Sequence, residues 1–404
     1  MKENPTPSAN QRSIVEFLGL RRSVVALLTM VVLVGMGERM AERFLPIYLI
    51  ALGGGVLSVG LLNGMDNLLS ALYSFPGGYL SDRLGNKRAL LVFNLIAIAG
   101  YSIVVLFPYW QAVLVGAVFF LSWTAISLPA TMSLVSQTLP MQKRTMGVSM
   151  HSLVRRIPMA LGPLLGGFLI VRYGEAQGIR LAFLVAIGMG LIALVAQQVL
   201  IKEDAAARKK ADSSPLRVYG LMPVGLRNLL VSDILVRFCE QIPYAFAVIW
   251  VVKNLGLSAL QFGFLTAIEM ATAMLIYIPV AYLADKNTKK PFVVATFAFF
   301  TAFPLMLLFS RTFGWLIMAF IVRGLKEFGE PTRKALIMDL APEGKKASVF
   351  GLYYLMRDVI VSAAAFGGAF LWQVSPATNF LVAFGFGLLG TVYFAIFGRD
   401  LGAA

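Results

Sequence analysis

The sequence predicts an all-α integral membrane protein of twelve transmembrane helices. They form two pseudo-symmetric six-helix bundles, with both termini in the cytoplasm. Three observations predict this. The chain is 58% hydrophobic and only 14% charged, whereas soluble domains carry about 25% charge. Apolar runs recur along nearly its whole length, each about 20 residues, enough to span roughly 30 Å of hydrocarbon as helix. The polar loops between them alternate between strongly basic and nearly uncharged, as the positive-inside rule requires of a chain that weaves through a bilayer.

The runs lie near 23–49, 57–80, 89–107, 110–136, 146–171, 180–201, 228–252, 259–284, 291–310, 313–338, 347–372 and 376–397. The expected organisation is a cytoplasmic tail (1–22), a first bundle (23–201), a cytoplasmic linker (202–227) and a second bundle (228–398). What remains is too short for a large extramembrane domain. A cleavable signal peptide is not expected, because Met1–Arg22 is polar and basic and the first long apolar run is followed by others. The single cysteine, Cys239, cannot form an internal disulfide. With one histidine, His151, a His-rich metal site is excluded, and no metal or cofactor is expected. His151 itself reads as a polar group near the cytoplasmic mouth.

The net charge of +15 follows the topology. Basic residues fall in alternate loops: Arg12, Arg21 and Arg22; Arg83, Lys87 and Arg88; Lys143 and Arg144; Lys202 to Arg217; Lys286, Lys289 and Lys290; Lys345 and Lys346. The opposite loops hold little beyond Arg172, Arg180, Lys253 and Arg311. Because the charge tracks loops and forms no patch, nucleic acid is not an expected partner. The expected partners are a small-molecule substrate and the lipid bilayer, with the chain acting as a monomer. Its short loops and lack of targeting features suit a bacterial inner membrane.

The two halves resemble each other at an offset near 202 residues. Glu38 matches Glu240, Asp66 matches Glu269, Asp82 matches Asp285, Pro129 matches Pro331 and Pro140 matches Pro342. Gly166-Gly167 matches Gly367-Gly368, which sets Arg156 opposite Arg357. So many matches in order argue for a duplicated six-helix unit. Such repeats are common in secondary transporters, whose sites lie at the repeat interface near mid-membrane.

The loop after stretch 2 reads Gly78-Tyr-Leu-Ser-Asp82-Arg83-Leu-Gly85-Asn-Lys87-Arg88, and a degenerate copy ending Asp285-Lys286 follows stretch 8. This resembles the GxxxD(R/K)xGxx(R/K) signature of the major facilitator superfamily, in its usual place between helices 2 and 3. The resemblance covers residues 20–398. It implies alternating-access transport, with the residues of this loop (Gly78, Asp82, Arg83, Gly85, Lys87 and Arg88) and Asp285 of its copy forming a cytoplasmic gate. Stretch 5 carries Gly162-Pro163-Leu-Leu-Gly166-Gly167. This is similar to the end of the GPxxGG motif of the twelve-helix drug/proton antiporter branch. Its alternative meaning is close packing through small residues. The sequence departs from that branch at Pro158, where the motif has glycine, and in stretch 4, which lacks the branch's arginine.

Charges at bilayer depth are costly and face a bundle interior or a wet cavity. Here they concentrate in stretches 1, 2, 5, 7, 8, 10 and 11, while stretches 3, 6, 9 and 12 carry none. The charged stretches are therefore expected to line a cavity. By a rise of about 1.5 Å per residue, Asp66 lies roughly 14 Å into stretch 2, with Glu269 equivalent in stretch 8, and Arg155 and Arg156 lie about 17 Å above the basic loop. Nine acids stand against eight bases, which predicts an ion-pair network. The proton-coupling candidates are Asp66, Glu269, Glu38 and Glu240. The candidates for the substrate cavity are Arg155, Arg156, Arg237, Arg323, Lys326, Glu327, Glu330, Arg357, Trp250 and Tyr353. Spacing predicts pairs Arg39–Glu42 in stretch 1, and Arg323–Glu327, Lys326–Glu330 and Glu330–Arg333 in stretch 10, with Arg333 and Lys334 approaching the cytoplasm.

These features lead to proton-coupled export of a small amphipathic organic compound as the first expectation, driven by the proton gradient. Proton-coupled uptake of an organic anion, or translocation of a lipid or lysolipid, stays open. The two main readings separate on one property. An anion carrier keeps a central arginine free of acids, and a cation exporter keeps an acid free. An ATP-driven enzyme is not expected, because no GxxxxGK[ST] loop is present.

Overall fold

The computed structural model describes residues 22–121, 123, 127, 131, 144–200, 222–285, 288–342 and 346–399. The linker up to residue 221, Lys143, Pro129 and Pro140 lie outside the described residues, as do the side chains of Asp82, His151, Asp285 and Pro331. All regular structure among the described residues is helical. The helices are α1 (Arg22–Glu42), α2 (Leu45–Ala51), α3 (Val56–Leu84), α4 (Asn86–Leu106), α5 (Trp110–Phe120), α6 (Arg144–Tyr173) and α7 (Glu175–Leu200). They continue as α8 (Val224–Tyr244), α9 (Phe246–Ile249) with a π turn over Trp250–Asn254, α10 (Ala259–Asp285), α11 (Lys290–Phe309), α12 (Phe313–Leu325), α13 (Glu330–Leu340), α14 (Lys346–Val374) and α15 (Pro376–Phe397).

Among the described residues, eight helical segments are long and apolar enough to cross a membrane, and α5 and α12 are shorter apolar helices. The connections are tight where glycine permits a left-handed backbone. Gly85 (φ 83°) joins α3 to α4, and Gly174 (φ 82°) joins α6 to α7. Ser375 starts α15 by accepting the Thr378 amide at 2.9 Å, with proline at the first helical position.

Packing repeats between the halves. In the first, α1 packs against α6 and α7; in the second, α8 packs against α14 and α15. The halves meet through two long helix pairs, α3 with α14 and α6 with α10. At the end opposite the basic loops these pairs close on glycine. A Cβ added at Gly60 would lie 2.4 Å from the Ala369 Cβ, and one at Gly263 would lie 2.5 Å from the Pro163 carbonyl oxygen. Asn63 Nδ2 donates to the Gln241 carbonyl at 2.9 Å, and Lys253 pairs with Glu175 at 2.5 Å across the same end. Apolar rings fill the space between, with Phe44 against Phe262 and Phe262 against Phe320, each at 5.9 Å.

The GPxxGG-like segment lies inside α6, where its glycines make close approaches. Cβ atoms there would come within 2.7 Å of Arg39 Cβ at Gly162, 2.0 Å of the Met40 carbonyl at Gly166 and 2.5 Å of the Ala259 carbonyl at Gly167. α6 is thus wedged between α1 and α10. Gly166→Val is expected to destabilise the protein by about 1–3 kcal/mol through overpacking. Gly188, which has nothing within 4 Å of an added Cβ, should tolerate alanine. Thermal midpoints of the two variants in detergent check this.

Candidate functional site

Between the halves, on the side of these closed contacts toward the basic loops, lies a cavity of about 350 Å³. Its walls come from α1 and the turn after it (Arg39, Arg43), α3 (Asp66) and α6 (Arg155, Arg156, Met159) on one side. The other side is α8 (Arg237, Glu240, Gln241, Tyr244), α10 (Glu269, Met270) and the α12–α13 region (Lys326, Glu327, Glu330, Lys334). Twelve of these sixteen lining residues are charged. None comes from α4, α7, α11 or α15, the helices of stretches 3, 6, 9 and 12.

Most of the charge in the second half is paired within that half. Glu240 binds Arg237 at 2.5 Å and Lys326 at 2.9 Å. Glu269 lies 3.2 Å from Arg323 and 3.3 Å from Lys326. Glu330 holds Arg333 at 2.7 Å, Lys334 at 3.3 Å and Arg237 at 3.5 Å. Below them Asp233 forms a hub: it pairs with Arg333, accepts from the Tyr353 hydroxyl at 3.0 Å, and has Arg357 at 3.4 Å and Arg237 at 3.8 Å. Arg357 is also held by Asp358 at 2.7 Å. Glu327 is different: it crosses to the first half and binds Arg156 at 2.9 Å.

The first half leaves charge over. Arg39 pairs with Glu42 at 2.5 Å and has Glu38 at 3.9 Å. Arg155 faces the cavity without an acidic partner among the described residues. Among the described residues Arg43 has only the face of the Tyr244 ring, 4.9 Å from its centroid. Asp66 has no hydrogen bond or ion pair among the described residues. The site therefore combines a closed ion-pair lattice on one wall with two uncommitted guanidiniums and one uncommitted carboxylate on the other.

Several expected placements change. Spacing along stretch 10 predicted Arg323–Glu327 and Lys326–Glu330, but neither pair forms. The helix ends at Leu325 and restarts at Glu330, and the intervening amides bond three residues back, Lys326 to Arg323 at 3.3 Å and Phe328 to Leu325 at 2.9 Å. That tighter turn rotates the side chains off the helical register, and partners on α6, α8 and α10 take them. Arg333 is 1% exposed, enclosed by Asp233 and Glu330. Trp250 does not line the cavity: its Nε1 donates to the Leu307 carbonyl at 3.1 Å, and its ring packs edge-on to Phe380 at 5.5 Å. Tyr353, Arg323 and Arg357 stand behind the lining, anchoring Asp233 and Glu269. Glu38 is buried behind Arg39.

In the loop signature, Gly78 and Asp82 fall in α3, Arg83 in its last turn and Gly85 at the reversal into α4. Lys87 ties the start of α4 to the end of α7. Its Nζ donates to the Gln198 carbonyl and its own carbonyl accepts from Gln197 Nε2, both at 2.8 Å. Gln197 in turn accepts from Asn94, which accepts from Trp123, both at 2.8 Å.

A helical membrane protein whose repeat-related halves enclose a charged cavity has the architecture of a secondary transporter. The chain belongs to the Major Facilitator Superfamily, whose family model matches residues 27–239 and 229–402. It is similar to an uncharacterized MFS-type transporter of Methanocaldococcus jannaschii, 22% identical over 368 residues that cover 86% of this chain and 87% of the relative. Its fold matches the crystal structure of the peptide transporter POT with TM-score 0.77 at 16% identity, covering 97% and 98% of the two chains. It matches the nucleoside transporter NupG with TM-score 0.79 at 13% identity, covering 93% and 100%. The protein is a multi-pass membrane transporter and not an enzyme.

Proposed function

We propose that the protein is a proton-coupled carrier of a small organic anion, working by alternating access. Twelve helices span the membrane with both termini cytoplasmic, in a bacterial inner membrane. The chain acts as a monomer with no bound cofactor, and the proton gradient drives it. The observation that carries this reading is the pair of cavity arginines, Arg43 and Arg155, without acidic partners among the described residues. A guanidinium fork matches a carboxylate or phosphonate, and an uncompensated one at this depth is costly until an anion arrives. Asp66 is the carboxylate that takes and releases the proton. Efflux of an amphipathic compound, the first expectation from sequence, is favoured by the unpartnered acid Asp66 alone and has less support. The lining is mainly charged, and the glycines of the antiporter-like segment Gly162, Pro163, Gly166 and Gly167 are accounted for by close packing.

The test is binding of a solute panel (carboxylates, phosphonates, amines and neutral analogues) to the purified protein. Acids are expected to bind and amines are not. Arg155→Gln should weaken acid binding roughly 10- to 100-fold, the loss of one charged hydrogen bond. Arg155→Lys should recover part of it, since the charge returns without the fork. Binding of cationic amphiphiles that is indifferent to Arg155→Gln would overturn the proposal.

A further inference from the structure

A second, smaller void of about 40 Å³ adjoins the cavity on the side of the closed contacts. The two share Arg43, Asp66 and Tyr244. Beyond that mouth the void is walled by apolar side chains, chiefly Leu45, Leu62, Val248 and Phe262, each at most 5% exposed. The polar groups on its wall are already engaged: Asn63 with the Gln241 carbonyl, Arg323 with Glu269 and Glu42 with Arg39. Only the mouth offers uncommitted charge among the described residues, at Arg43 and Asp66.

Where its wall is apolar the space offers water no partner, and unfilled it forfeits the dispersion contacts of that lining. Its size is that of roughly three waters, which corresponds to a chain of about three or four carbons. We infer that the void is the side-group subsite of the transported solute. The anionic group rests on Arg43, and a short aliphatic group enters between Leu62, Val248 and Phe262. The solute is then a short-chain organic acid, neither a bare inorganic anion nor a long-chain lipid. This rests on the anion reading above and narrows it.

The test measures binding of straight-chain carboxylates from acetate to octanoate to the full-length purified protein. Affinity is expected to rise about fourfold per methylene as each enters the apolar space, then to fall beyond butyrate or pentanoate. Leu62→Ala enlarges the void and should move the optimum to longer chains by about two carbons. Val248→Phe fills it and should abolish the rise with chain length. If affinity ignores chain length, or climbs to octanoate, and neither variant alters the profile, the subsite assignment is overturned. Carboxylate binding that still depends on Arg155 would in that case leave the anion reading standing. If no carboxylate binds, both fall together.

Discussion

Asp233→Asn is expected to lower the stability of the protein by about 3–5 kcal/mol, the range for removing one partner of a buried ion pair. The carboxylate is 1% exposed and faces three guanidiniums, those of Arg333, Arg357 and Arg237, together with the Tyr353 hydroxyl. Asparagine keeps the shape and a hydrogen-bond acceptor but removes the charge. Arg333 would keep Glu330, and Arg357 would keep Asp358. Each would lose its shared counter-charge in a place water does not reach. The loss should appear as a fall of about 10 °C in the thermal midpoint in detergent, if the second half unfolds as a unit. Asp233→Asn with Arg357→Gln should lose less than the sum of the two single changes, by about 1–3 kcal/mol, because the groups share one network. A midpoint unmoved by Asp233→Asn would mean that the hub is hydrated and contributes little.

This hub shows where sequence reading reaches and where it stops. Helical runs, alternating basic loops and the 202-residue repeat are periodic signals that need no tertiary information. The depth of a charge follows from counting residues along a helix, so the charged stretches could be assigned to the cavity before any contact was known. Pairing is different, because it depends on which neighbouring helix presents the nearer partner. Lys326 and Glu330 have ideal helical spacing, yet Lys326 turns to Glu240 and Glu269 once the helix breaks after Leu325. Glycine at 324 and 329 with proline at 331 hinted at the break but not at the new partners. Asp233 and Arg43 enter the sequence reading only as members of the charge tally, and Arg333 only as a partner of Glu330 toward the cytoplasm. Their repeat-equivalent positions, Val31, Thr131 and Ala245, are not charged, so the repeat could not point to them. Trp250 misled because an aromatic on a charged stretch faces the cavity or the core according to a rotation that hydrophobicity alone leaves open.

The repeat also made Asp66 and Glu269 twins, and the structure separates them. Both line the cavity, but Glu269 is held between Arg323 and Lys326, whereas Asp66 has no hydrogen bond or ion pair among the described residues. A carboxylate clamped by two cations stays ionised as the cavity switches sides. One without a clamp changes its proton occupancy when its access to water changes. Asp66→Asn is therefore expected to abolish proton-driven accumulation of substrate in proteoliposomes, by tenfold or more, while substrate exchange at equal pH continues. Proton release or uptake on adding substrate to the weakly buffered protein should vanish in the same variant. Glu269→Gln should act instead on stability, because it leaves Arg323 and Lys326 short of a counter-charge, and the protein that does fold should stay coupled. The reverse pattern, with Asp66→Asn still coupled and Glu269→Gln uncoupled, would transfer the proton to the second half. The anion would then bind beside a carboxylate whose charge does not vary, and its release would have to come from breaking the Arg156–Glu327 bridge between the halves rather than from protonation.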